Sequence, residues 1–233
     1  VQAEHGLSRD DIAQSLDIPR TTAYRILKTL CEQNFLEHRH NGYFPGGALH
    51  SLGLSLSSMD RLRPLIRPAL NSLAEHSHFT THLAIPSGYR VLLLEVCDSK
   101  SLLRIASRTG SLVPLHASAT GKVFLAHLFA DDIDNIEREV GFPSFTSQTQ
   151  TQQETIRKEI QVTFKRGYAT DDREFNDNVR CLAAPVMDAS GAVIAALGVT
   201  SPIALFPKKE VPAIAAIVKD HAQRCYQLIK GQP

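Results

Sequence analysis

A chain of 233 residues is long enough for one large or two modest domains, each able to bury a core without disulfide or metal staples. Its 43% hydrophobic and 21% charged residues exclude a disordered chain, and a formal charge of +1 means that any nucleic-acid-binding surface must be local. The cysteines at 31, 97, 181 and 225 show no C-x-x-C spacing, no window approaches 18 unbroken apolar residues, and VQAEHGLSRDD lacks a charged segment followed by an apolar one. A cytoplasmic protein with reduced thiols, no membrane span and no signal peptide is expected.

Ser8 followed by Asp11 forms a capping-box pattern, and Ile12, Ala13 and Leu16 supply the apolar stripe of a short helix. Asp17-Ile18 breaks that helix, Pro19 suits a first helical position, and Ala23, Ile26, Leu27 and Leu30 recur at helical spacing up to Asn34. Two short helices joined by a three- or four-residue turn make a helix-turn-helix pattern. FLEHRHNGYF then sets Asn41-Gly42 between two strand-like pieces, a hairpin signature that reads as a wing after the second helix.

Arg20, Thr21, Thr22, Tyr24, Arg25 and Lys28 are the outward candidates on the second helix, with Arg39 and His40 on the wing. Arginine can bridge guanine O6 and N7, hydroxyls reach phosphate or base edges, and lysine neutralises phosphate. Residues 1–45 hold five Lys/Arg against six Asp/Glu, so the charge is sorted, with acids mainly on the first helix and bases on the second helix and wing. A helical hairpin with a solvated polar face would share part of this pattern. Turn, proline-started helix and wing together favour double-stranded DNA as a partner.

Beyond Pro45-Gly46-Gly47, Ala48, Leu49, Leu52 and Leu56 fall on one face of a connecting helix that ends in the polar SSMDR. Leu62, Leu65, Ile66, Ala69, Leu70 and Leu73 mark the next helix, in which Pro68 costs a backbone bond or marks the true first turn. From about Thr80, THLAI, YRVLLLEV and SLLRIA are strand-like, the first two joined at Ser87-Gly88. Residues 117–129 and 151–165 have helical periodicity, a strand starts at Gly167-Tyr168-Ala169, CLAAPVM and AVIAALGVT flank a hairpin at 188–191, and Pro207 to Ile229 forms a terminal helix. Hairpins in place of regular strand-helix-strand units predict an α+β fold with an antiparallel sheet covered by helices. The boundaries follow: 1–46 a DNA-binding domain, 47–61 a linker helix, 62–233 a sensor-like domain.

PLHASATGKVFLA at 114–126 and RGYATDDREFNDNVRCLAAPVMDASGAVIAALGVTSP at 166–202 closely resemble the paired signatures of the isocitrate-lyase-regulator (IclR) family of bacterial transcription factors. The N-terminal segment matches too, so the resemblance covers essentially the whole chain. It implies a winged helix-turn-helix, a linker helix and a GAF-like effector domain, assembled as a homodimer or dimer of dimers on a palindromic operator. In that family a further helix precedes the segment that begins here at Val1, so the DNA-binding module is read as incomplete at its first helix. The resemblance carries the effector pocket onto Ala119, Thr120, Asp171, Cys181, Gly198 and Thr200. Some relatives have a hydroxyl at the position of Gly198 and alanine at that of Thr120, a difference that suggests a deeper pocket and a small organic acid, aromatic acids included.

Other readings compete for the same residues. Cys181, His116 and Asp171 could be cast as nucleophile, base and orienter of a hydrolase, but no nucleophile-elbow or protease signature surrounds Cys181. His76, His78 and His82 fit no common zinc spacing, and Lys122 lacks the glycine and Ser/Thr of a phosphate-binding loop. No enzyme activity, cofactor or metal is expected. Of the acids and the Arg-Cys pair in DDREFNDNVRC, Asp171 and Cys181 are placed at the pocket. Glu174, Asp177 and Arg180 are expected in solvent or in internal salt bridges, within a mostly solvated connection.

Overall fold

The computed structural model describes residues 6–39, 42–49, 57–101, 105 and 107–230, the backbone alone for 57–65 and 228–230. The chain divides into two compact units, Val1–Arg61 and Leu62–Pro233.

In the first unit, helix α1 (Arg9–Ser15) starts at a complete capping box. The Ser8 hydroxyl accepts from the Asp11 amide at 3.2 Å, and the Asp11 carboxylate accepts from the Ser8 amide at 3.2 Å. Helix α2 (Arg20–Glu32) follows after a break at Asp17, which has φ of 50°. Pro19, expected as the first helical residue, is instead the N-cap, one position ahead of the helix. Strands β1 (Leu36–Arg39) and β2 (Gly42–Pro45) pair with Arg39 opposite Gly42, so Gly42 belongs to the strand, while Asn41 lies outside the described residues. Leu7 bridges to Tyr43 and ties the segment ahead of α1 to this hairpin.

The middle of the expected linker helix lies outside the described residues: a helical turn opens at 47–49, and 50–56 are not described. Residues 57–61, the expected polar end of that linker, instead begin helix α3 (Ser57–Ser77), which runs on through Pro64 and Pro68. Each proline removes one backbone bond without ending the helix.

The second unit is built on a six-stranded antiparallel sheet in the order β5-β4-β3-β8-β7-β6. The strands are β3 (Thr80–Ser87), β4 (Arg90–Cys97), β5 (Leu112–Pro114), β6 (Ala169–Asp172), β7 (Val179–Met187) and β8 (Val193–Pro202). The edge strand is Leu112–Pro114, paired with Arg90–Leu92, not the expected SLLRIA segment. Within that segment residues 102–104 and 106 are not described, and Ser101 and Ile105 lie outside any strand.

Helices cover both faces of the sheet, as an antiparallel α+β layer requires. On one face the Thr81 hydroxyl donates to Leu70 O of α3 at 3.0 Å, and α7 (Val211–Lys230) packs on β7 and β8. On the other, α4 (Ala119–His127) crosses β6, β7 and β8 and is backed by α6 (Gln153–Arg166). Helix α5 (Ile133–Glu139), which the periodicity did not reveal, buries Ile133 and Ile136 in the same core as Val123 and Phe124.

The first turn of α4 is fixed by two local features. The Ser118 hydroxyl donates to Pro114 O at 2.5 Å and accepts from the Gly121 amide at 3.1 Å, and Gly121 itself lies against backbone. A Cβ at position 121 would stand 2.3 Å from Leu115 O and 2.6 Å from Pro114 O. Gly121→Ala is therefore expected to destabilise the second unit by roughly 1–3 kcal/mol, because main chain must move. Urea unfolding checks this; an unchanged midpoint would show that α4 can lift from the 114–115 turn without cost.

Candidate functional site

On α2, Ala23 and Leu27 are buried, and the opposite ridge is made by Thr21, Arg25 and Lys28, flanked by Thr22 and Thr29. Tyr24 is half-exposed, and Arg20 reaches back to Asp10 of α1 at 3.2 Å, so both stand on the flank of the ridge. Ile26, expected inside, is 46% exposed on the outward side. It forms a shallow groove with Thr22, Arg25 and Thr29. On the wing, Arg39 is paired with Glu37 two residues away, and His40 lies outside the described residues. The outward cationic groups are thus sorted: Arg25 has no ion pair among the described residues, whereas Arg20, Lys28 and Arg39 each have an acid nearby.

In the second unit, strand alternation sets two rows of side chains under α4. Asp171, Cys181, Thr200 and Thr80 are opposite one another across β6, β7, β8 and β3. Two residues along, the next row is Ala169, Ala183, Gly198 and His82. Between this face and the start of α4 lies a cavity of about 390 Å³, toward the small end of ligand pockets. Its wall includes Ala119, Thr120, Asp171, Cys181 and Thr200, five of the six positions expected from sequence. Arg108 and Phe175 also line it.

Gly198 is the exception, and the expected gain in depth there is not found. A Cβ at 198 would sit 2.4 Å from Nε2 of His82, so the space freed by glycine is filled by the imidazole of the neighbouring strand. His82 lines the cavity and was not among the expected site residues. The alternation in THLAI and the small residues at 169, 183 and 198 carry the signal, but pairing strands so distant in sequence is what brings them together.

The polar groups of the cavity are constrained by burial. Among the described residues, the amides of Ala119 and Thr120 have no hydrogen-bond partner, leaving two donors at the positive end of the α4 dipole. One Asp171 oxygen accepts from the amides of Glu174 (2.7 Å) and Phe175 (3.3 Å). Burial nevertheless raises its pKa to about 6, the bond from Glu174 opposing it. The Thr200 hydroxyl donates to Cys181 Sγ at 3.3 Å, and burial, with the Asp171 charge second, pushes the Cys181 thiol well above its ordinary value. Burial also lowers His82 to about pH 4, and its Nδ1 is enclosed without a hydrogen-bond partner.

The rest of DDREFNDNVRC is not mostly solvated. Lys122 Nζ, one turn into α4, donates to Glu174 at 2.5 Å and to Thr170 O at 3.0 Å, with both charged side chains buried. Arg180 donates through Nε and Nη2 to Asp172 (3.1 and 2.7 Å), and also to Phe206 O. Burial works to raise the Asp172 pKa, but the bonds from Lys208 and Arg180 hold it below the usual value. Alternation along β6 explains the split: Asp171 faces the cavity, and Asp172 faces the opposite side with Arg180.

The competing assignments separate in space. His116 Nε2 donates to Pro143 O at 3.0 Å and the ring packs with Phe142 and Phe145. It lines a different recess from the one holding Cys181, which has no thiolate character. Of the histidines, His76 is on α3 at 2.8 Å from Ser72 O, His78 is exposed at the helix end, and His82 is in the sheet.

Comparison with known proteins decides the family. The model for the bacterial transcriptional regulator IclR C-terminal region matches residues 54–226, and that for the IclR helix-turn-helix domain matches residues 2–40. The chain belongs to the IclR family. It is a DNA-binding, ligand-responsive transcriptional regulator and not an enzyme. It is 28% identical to the transcriptional repressor IclR of Escherichia coli K12 over 89% of this chain and 77% of that one. It is 29% identical to the regulator BhcR of Paracoccus denitrificans, over 96% and 81%. Among solved structures, an IclR homolog from Microbacterium hydrocarbonoxydans complexed with 4-hydroxybenzoate aligns with a TM-score of 0.76 at 23% identity, covering 97% of this chain and 92% of that one. The Thermotoga maritima IclR aligns with a TM-score of 0.68 at 22% identity, covering 95% and 90%.

Two buried groups of this IclR-family chain respond to acid in opposite directions. The unfolded chain protonates His82 near 6.5 and the folded chain only near 4, so His82 withdraws stability as pH falls between those values. Folded Asp171 takes its proton near 6 and the unfolded one near 3.8, so Asp171 costs stability at neutral pH and the cost is relieved over nearly the same window. Each contribution is on the order of 3 kcal/mol. Relative to wild type, His82→Gln is expected to gain as pH falls from about 7 to 4, while an advantage of Asp171→Asn at pH 7 fades by pH 4. Denaturant unfolding at several pH values reads both; parallel pH curves for wild type and both variants would overturn the assignment.

Proposed function

We propose that the cavity under α4 is the effector site and that it takes a small organic acid, aromatic acids included, carboxylate first. The observation that carries this reading is the pair of unpartnered amides at Ala119 and Thr120, set at the positive end of a helix over a buried polar row. Arg108 adds a cation to the wall, and the Thr120 and Thr200 hydroxyls are further donors. A carboxylate seated there meets donors without needing a metal or cofactor. The 4-hydroxybenzoate complex of the Microbacterium homolog supports an acid of this size in the same fold. Asp171, whose pKa burial raises to about 6, takes up a proton far more readily than an ordinary carboxyl, so the charge it turns toward the ligand falls as pH drops through 6.

On the DNA side, the reading is a palindromic operator met by two copies of the chain, as a dimer or dimer of dimers. Each α2 ridge would enter a major groove, with half-sites about one helical turn or a multiple apart. Arg25, outward and without an ion pair among the described residues, suits base reading; Lys28, Thr21 and Thr22 suit phosphate, and Arg20, Tyr24, Arg39 and His40 flank the contact. Acid binding regulates transcription by favouring one arrangement of the two modules, so the acid and the operator must alter each other's affinity reciprocally.

Two measurements test this. Arg25→Ala is expected to cost about 1–3 kcal/mol of operator affinity and relax one base position, with a smaller loss for Arg20→Ala, while Lys28→Ala lowers the salt slope by roughly one. Fluorescence anisotropy at several salt concentrations checks all three, and unchanged affinity throughout would remove α2 from the groove. For the cavity, thermal-shift titration of carboxylates should show weaker stabilisation of Thr120→Val than of wild type. Equal stabilisation by every acid would exclude the hydroxyl of Thr120 from the ligand.

A further inference from the structure

We propose that His82 is the specificity-determining residue of this cavity, selecting acids that carry a second, uncharged oxygen over the same skeleton bearing none or bearing a second carboxylate. The inference rests on the effector reading of the cavity and adds to it a residue from outside the expected set.

His82 owes its place to two features of the sheet. It lies on β3 directly opposite Gly198 of β8, and only glycine there leaves room for the ring, since a Cβ would come within 2.4 Å of Nε2 and 2.9 Å of Cε1. The other members of that row, Ala169 and Ala183, are also small, so the imidazole is the large polar group on its floor. The side chain is 5% exposed and lines the cavity, and its Nδ1, without a hydrogen-bond partner among the described residues, has almost no accessible surface, so a ligand meets it only once the imidazole turns toward the cavity. A buried polar atom left unmatched is costly, and a bound group that matches it recovers that cost.

The charge state narrows the class. Burial keeps the ring neutral through the physiological range, so it presents one N–H and one lone pair. A hydroxyl can answer either nitrogen, and a carbonyl oxygen can answer the N–H. A second carboxylate would have to be desolvated beside a neutral ring and beside buried Asp171, which favours neither. An apolar substituent leaves Nδ1 unmatched. The ligand therefore spans the cavity with its carboxylate at α4 and a neutral oxygen at His82.

The test uses the full chain and two matched series: benzoate, 4-hydroxybenzoate and terephthalate; propionate, pyruvate and malonate. Isothermal titration of wild type is expected to favour the hydroxylated or oxo acid of at least one series over both its relatives by roughly tenfold or more. In His82→Leu that ratio should collapse to about twofold or less. His82→Gln, which retains a donor and an acceptor, should restore part of the preference. Should both variants fail to fold, imidazole 15N resonances of wild type provide the readout, with the His82 signals expected to shift on adding the tightest acid. A preference that survives His82→Leu, or His82 resonances that ignore the acid, would overturn the proposal. If wild type binds acids without discrimination, this inference alone falls; if it binds none of the six, the carboxylate reading of the cavity falls and takes this one with it.

Discussion

The second unit depends on one constraint: antiparallel pairing places residues from four strands side by side, and alternation sends every second one to the same face. The register Asp171–Cys181–Thr200–Thr80 and, two residues on, Ala169–Ala183–Gly198–His82 follow from it. A slip of one residue in any strand would turn its member of each row to the opposite layer. Small side chains in the second row let α4 approach the sheet, polar ones in the first row give the space beneath it its chemistry, and glycine at 198 admits an imidazole from next door. The cavity is thus a product of register, with no one element owning it.

Buried charge then holds its wall. Lys122 rises from α4 to Glu174 and Thr170 O, so the segment after β6 is fastened to the helix that forms the opposite side of the cavity. Burying such a pair brings little net stability, but removing one partner would leave the other uncompensated. Burial raises the Glu174 pKa and the Lys122 ammonium opposes it. On the far face, Asp172 gathers Arg180 and Lys208 and links β6 to the segment leading into α7. The acidic run therefore performs three separate tasks in adjacent positions: Asp171 caps the following loop and lines the cavity, Asp172 anchors the outer layer, and Glu174 ties the loop to α4.

Much of this was legible in the sequence where the cause was local. The capping box at Ser8 and Asp11, the two-helix turn, the wing and the antiparallel α+β character all follow from short-range signals, and the two long motifs located the start of α4 and the strand row above it. What escaped depended on distant partners. Ile26 has the spacing of a core residue yet faces outward, because the buried side of α2 is set by Ala23 and Leu27. Pro68 read as a lost backbone bond or a true first turn, yet α3 begins at Ser57 and continues through it. Glu174 and Arg180 were expected in solvent or in internal salt bridges and take the salt bridges, but nothing near them in sequence announces Lys122 or Phe206. His82 looked like a stray member of a histidine group, since its neighbour in space, Gly198, is a hundred residues and more away in the chain.

The same alternation gives the cavity a mechanical neighbour. On β3, Thr80 and His82 face the cavity side, while Thr81 between them donates to Leu70 O in α3 on the other. Helix α3 begins at Ser57, within the residues of the first unit in sequence, and ends at Ser77, with two residues between it and β3. A ligand can shift an equilibrium only by its difference in affinity for two states, so it must touch something that differs between them. Close packing leaves little slack: Leu70, Leu83 and Val91 are almost wholly buried around this strand, and such interiors respond by discrete shifts of whole elements more readily than by gradual yielding. A group that engages His82 acts on the strand whose adjacent residue, Thr81, holds α3.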